Sequence, residues 1–253
     1  MGIQGLHTKR YVDIVIGELR QVAGLENIGS NKELGEAIIN TVFDIEGPRA
    51  VASVPSQRSM FVANKLFRPF GEIIESLTSI QNIAIYINSF PYRRQGISQV
   101  AYLRYHIESY YEELYILNLR LIAYLKIISR AYRKAANAET IEGRMDALSL
   151  FITETLQPHV KRRGAHVHVV RYTDHEIDRL STIELLCSPH SELSGALSPV
   201  FRSAYRSIRD TWRSRITHDS AELDKLVDHF VEVIISCIAP DGKIVYPTRL
   251  QKT

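Results

Sequence analysis

The chain has little cysteine and nothing that looks like a disulfide framework. Cys187 and Cys237 stand 50 residues apart in apolar surroundings, with no zinc-ligand spacing between them, so both read as buried thiols in a reducing compartment. No apolar run approaches the roughly 18 residues that a membrane span requires. The first ten residues lack the apolar core of a signal peptide, which predicts a cytoplasmic protein and no membrane partner. Gly-rich phosphate loops, H-E-x-x-H and G-x-S-x-G are all missing, which removes the motif-bearing nucleotide, zinc-protease and serine-hydrolase classes. Strand signals are almost absent as well. Only His166–Tyr172 alternates in a β-like way, and seven residues do not separate a strand from a helix start.

What remains is an ordinary globular composition, 253 residues with 45% hydrophobic and 23% charged, enough to bury a core without a staple. The cations are unusual. Of 31 Lys and Arg, 9 are Lys and 22 are Arg, and Arg is preferred where a planar fork must grip phosphate or carboxylate. Residues 161–215 hold ten cations against six acids, which nominates nucleic acid as a partner.

Apolar residues recur at helical spacing almost throughout. Val12, Val15, Ile16, Leu19 and Val22 share one face. Ser30 with Glu33 forms a capping box before Leu34, Ala37, Ile38 and Val42, and Gly47-Pro48 opens a linker over 47–56. A short helix from Met60 to Phe67 is expected to stop at Pro69, and Ile73–Ile87 gives the next stripe. Residues 97–134 repeat apolar side chains at three and four without Gly or Pro, one helix of roughly 57 Å at about 1.5 Å per residue. It carries Tyr102, Tyr105, Tyr110, Tyr111, Tyr115, Tyr124 and Tyr132, whose rings are expected to cap the core while their hydroxyls reach water. His106 reads as a surface residue of this helix. Ile141–Leu156 forms another helix, which Pro158 kinks or ends. Thr173 with Glu176 caps a helix running to Cys187. After a Ser/Pro/Gly-rich break at 188–199, Phe201–Ile216 makes one stripe, and Asp219 with Glu222 opens a last helix to Ile238. The fold expected is all-α, a bundle of about eight helices with one very long central helix. Residues 1–56 form an N-terminal helical extension and 57–253 the bundle, unless the two are one continuous domain.

The chemistry concentrates in Lys161-Arg162-Arg163-Gly164-Ala165-His166-Val167-His168-Val169-Val170-Arg171. An Arg beside a His suits RNA cleavage without metal. A neutral imidazole takes the proton of a ribose 2′-hydroxyl, and a guanidinium stabilises charge growing on the attacked phosphate. Arg163 precedes His168 with four residues between them, and Arg162 precedes it with five. Gly164 is otherwise the left-handed cap of the preceding helix. A His166-x-His168 metal pair would need a parallel sheet, which the sequence does not show.

This R-x(4–6)-H spacing in an all-helical chain resembles the HEPN superfamily, its stand-alone prokaryotic members in particular. The likeness is local to Arg163–His168, with Arg171-Tyr172-Thr173-Asp174 and the long helix Tyr102–Tyr132 beside it, and extends over about residues 75–240 in architecture. The resemblance implies a metal-independent, cofactor-free endoribonuclease, with the site formed across a homodimer, often within toxin or phage-defence systems that add an antitoxin or regulatory partner. It makes His168 the catalytic base and Arg163, or Arg162, the phosphate-binding arginine, with Gly164 standing where members usually carry a polar residue. His166 and Arg171 follow as candidates for orienting the base and binding the neighbouring phosphate, with Lys161 beside them. Arg202, Arg206, Arg209 and Arg213 form a second constellation, offset by one residue from the stripe Phe201, Tyr205, Ile208, Trp212. They make an arginine ridge about 100° round the same helix, suited to an RNA backbone or to a solvated, ion-paired face. The alternative function is a catalytically inactive RNA-binding or protein-interaction scaffold.

Overall fold

A computed structural model describes the backbone of residues 5–22, 57–89, 96–168, 174–187 and 191–250; the side chains at 21, 22, 59, 162–168 and 249 lie outside that description. The capping box at 30–33, the linker 47–56, Arg171 and Thr173 therefore fall outside the described residues.

Helix makes up 87% of the described residues, and no strand occurs among them. The chain is all-α. In order, α1 spans Leu6–Val22 and α2 Gln57–Phe61, followed by a π-helical turn at Val62–Phe67. Then come α3 Arg68–Asn88, α4 Gln99–Tyr132, α5 Ala138–His168, α6 His175–Leu186, α7 Ser194–Ile238 and a 3-10 turn at Thr248–Leu250.

Among the described residues these make six continuous helices, since α2, the π-helical turn and α3 run together, and the helix expected over 34–42 lies outside the described residues. Several expected breaks are not breaks. The segment 60–67 does not stop at Pro69. It runs into α3, and the π-helical turn just before Pro69 is the wider geometry that absorbs the missing N–H and the ring clash. Pro158 likewise stays inside α5. Leu156 is buried and Val160 half-buried on either side of it, so both flanks keep their packing while Pro158 faces solvent. The break at 188–199 is shorter than expected, since α7 begins at Ser194 and includes Pro199. Asp219 and Glu222 open no helix. They lie in the middle of α7, whose 45 residues make it longer than the 34-residue α4. Here Ser220 and Leu223 are buried, and the Asp219 carboxylate, free of capping duty, accepts from the Tyr110 hydroxyl. The cap of α6 is Asp174, whose Oδ1 accepts from Glu176 N at 2.9 Å and Ile177 N at 3.3 Å. Residues 166–168 are helical, which removes the strand alternative for them and the capping role for Gly164. Cys237 is buried but Cys187 is not, being half-exposed where α6 ends, and both are free thiols.

The chain divides into two compact units. The first comprises 73–122 and 149–225, the second 2–72, 123–148 and 226–253. Residues 57–72 thus group with α1. Within the first unit, Glu184 of α6 caps α4, with Oε1 accepting from Gln99 N at 2.7 Å and Oε2 from the Ser98 hydroxyl. Arg120 reaches from α4 to buried Ser76 of α3 at 2.6 Å. Within the second unit, α1 buries Tyr11 and Val15. The Tyr11 and Tyr124 hydroxyls are hydrogen-bonded to each other, and Tyr124 donates to Leu66 O at 3.2 Å in the π-helical turn. A π-turn leaves carbonyls poorly matched to helical partners, and here a buried tyrosine satisfies one.

Candidate functional site

Lys161 to His168 form the last two turns of α5, in a stretch belonging to the first unit. Lys161 is exposed; the side chains of Arg162, Arg163, His166 and His168 lie outside the described residues. The backbone still sets their register. At about 3.6 residues per turn, positions 163 and 168 stand about 140° apart round the axis, whereas 162 and 166 differ by about 40°.

The arginine ridge is described in full. The stripe beneath it packs as expected, with Phe201, Tyr205, Trp212 and Ile216 buried. Arg202, Arg206 and Arg213 are exposed, and no ion pair engages them among the described residues. Arg209 departs from the ridge. It is half-buried and grips the neighbouring Asp210 through Nε at 3.0 Å and Nη2 at 2.8 Å. Arg215, two residues beyond Arg213, lies over the Trp212 ring at 5.0 Å. The ridge thus offers three cations rather than four. The same R-x4-H spacing recurs at its end, in Arg213 and His218, both exposed on α7.

Sequence reasoning missed an aromatic cluster on the first unit. His106 of α4 is half-buried and surrounded by three tyrosines, with ring centroids at 4.5 Å to Tyr102, 5.3 Å to Tyr105 and 5.7 Å to Tyr86 of α3. The Tyr102 hydroxyl donates to Tyr86 O at 3.0 Å and ties the two helices together. Burial holds the His106 imidazole below its ordinary value, so it favours the neutral form. The same cause lifts the Tyr102 hydroxyl, with the Tyr86 hydroxyl adding to it. The i,i+4 spacing of Tyr102 and His106 was the available signal; the approach of Tyr86 had none. Four further tyrosines of α4 (Tyr110, Tyr111, Tyr124, Tyr132) have their rings fully in the core.

Among the described residues, no group of three or more His, Cys, Asp and Glu is placed to hold a metal ion, and no helix is long and apolar enough to cross a membrane. No protein-family model, no curated protein and no solved structure matches this chain.

Proposed function

We propose that this chain is a metal-independent endoribonuclease of the HEPN type, working as a homodimer in the cytoplasm. The observation that carries the reading is Arg163-x4-His168 on the final turns of a long helix in an all-α chain. His168 removes the proton of the ribose 2′-hydroxyl, whose oxygen attacks the adjacent phosphorus. Arg163, or Arg162, holds the phosphate as negative charge builds on it, and the 5′-oxygen leaves, giving a 2′,3′-cyclic phosphate. His166 and Arg171 orient the base and hold the neighbouring phosphate, while Lys161 and the exposed Arg202, Arg206 and Arg213 supply attraction for the backbone. A toxin or phage-defence role, with an antitoxin or regulatory partner, belongs to the same reading.

The test is incubation of the purified protein with single-stranded RNA in EDTA. Wild type is expected to cut, a 2′-deoxy substrate to stay intact, and His168→Ala to lose about 10²–10⁴-fold in rate, the contribution of a general base. His218→Ala serves as the matched control at the second R-x4-H spacing. If His218→Ala abolishes cutting and His168→Ala does not, the chemistry sits on α7. If cutting requires metal or is absent while RNA still binds, the chain is an RNA-binding scaffold.

A further inference from the structure

Tyr86 and Tyr105 are 47% and 64% exposed, an uncommon setting for two aromatic rings that both pack on one imidazole. The helices that carry them are tied together. Tyr102 anchors the cluster through its bond to Tyr86 O, and Arg104, next along α4, is locked to Asp178 of α6 at 2.8 Å. Tyr105 stands edge-on to His106 at 74° and Tyr86 is tilted 40° from it, so two exposed rings flank an imidazole that burial biases toward the neutral form.

We propose that Tyr86, Tyr105 and His106 form a stacking platform for the unpaired bases of single-stranded RNA. The inference deepens the nuclease reading by saying how the substrate's bases are held, and rests on it only for the identity of the nucleic acid. Three observations favour bases over a protein surface. The rings are tyrosine and histidine, which present π-faces without the aliphatic bulk that a protein core contact would use, and base–aromatic stacking tolerates any base. The two helices under the rings are held together and to α6 by the Tyr102 and Arg104 contacts, so little backbone freedom is lost when a base settles there. Cations lie toward the same end of the unit. Glu184 near the end of α6 caps α4, and the Ser194 hydroxyl at the start of α7 donates to Cys187 O at 3.0 Å. Both helices therefore start beside the C-terminal end of α6. Tyr105 lies about 9 Å along α4 from its first residue and Arg202 about 12 Å along α7.

The test is binding of a short oligodeoxyadenylate, which has the same bases but no 2′-hydroxyl to be cut, alongside an abasic oligonucleotide of equal length. Wild type is expected to prefer the base-bearing strand. Tyr105→Ala and Tyr86→Ala should each weaken it about 5- to 150-fold with an unchanged salt slope, because no phosphate contact is lost. Tyr105→Phe should keep the affinity and Tyr105→Leu should not. Equal binding of the abasic strand, unaltered binding by Tyr105→Ala, rescue by Tyr105→Leu, or no binding of either strand overturns the platform; the Leu rescue would mark an apolar protein-docking surface instead. Loss of RNA cleavage with the stacking pattern intact would fell the nuclease reading and leave the platform standing.

Discussion

The Tyr110 hydroxyl donates a hydrogen bond to the carboxylate of Asp219, joining α4 to the middle of α7 where a helix boundary was expected. Burial pushes the tyrosine hydroxyl up, and the carboxylate beside it adds to the effect, so the hydroxyl keeps its proton and stays the donor. Tyr110→Phe keeps the ring and removes the donor. Asp219 is only partly exposed, with Arg215 Nε at 4.0 Å as its other neighbour, so the expected loss is about 1.5–3 kcal/mol, the range for hydrogen bonds to charged groups. Urea denaturation at neutral pH measures it, and a difference below a few tenths would deny the bond its role.

Gly5 leaves no room for a side chain. A Cβ there would stand 2.0 Å from Asp228 Oδ1, the atom that accepts from Thr8 N at 2.8 Å and Thr8 Oγ1 at 3.0 Å to cap α1. Gly5→Ala should displace the cap and cost about 0.5–2 kcal/mol, as should Asp228→Ala. The two changes remove one interaction, so the double variant should fall well short of the sum. Additive losses in thermal melts would show that Gly5 and Asp228 act separately.

His106 makes stability pH-dependent in a definite direction. Its pKa in the folded chain lies below the ordinary 6.5, so as pH falls through 6.5 the unfolded state takes up the proton first and stability drops. The contribution is complete above that value and is lost as pH descends toward the folded pKa. His106→Leu should lose less stability than wild type between neutral pH and the acid side of 6.5. Parallel curves for the two proteins would rule out the effect.

Arg206 and Arg209 sit on the same ridge but should behave differently toward RNA. Arg206→Ala removes an exposed cation and should lower the log–log salt slope of single-strand binding by about 0.7. Arg209 is already held by Asp210, so Arg209→Ala should change the slope by much less. Equal changes would mean that the Arg209–Asp210 pair opens on binding.

The sequence by itself determined the class of the fold and most of its helices. The stripes Ile73–Ile87, 97–134 and Ile141–Leu156 reappear as α3, α4 and α5, because burial of one face every three or four residues is a local pattern. It also determined the spacing of the motif and the offset of the arginine ridge from its apolar stripe. Tertiary structure decided where helices do not end. The signals at Pro69, Pro158 and Asp219 are local preferences of about 1–3 kcal/mol, and continuous packing on both sides of each outweighs them. It likewise decided which polar groups are spent and which are free. Tyr86 meets His106 only because α3 and α4 lie side by side, and Asp219 serves Tyr110 rather than a helix start because a residue 109 positions away in the chain fills its hydrogen-bonding need.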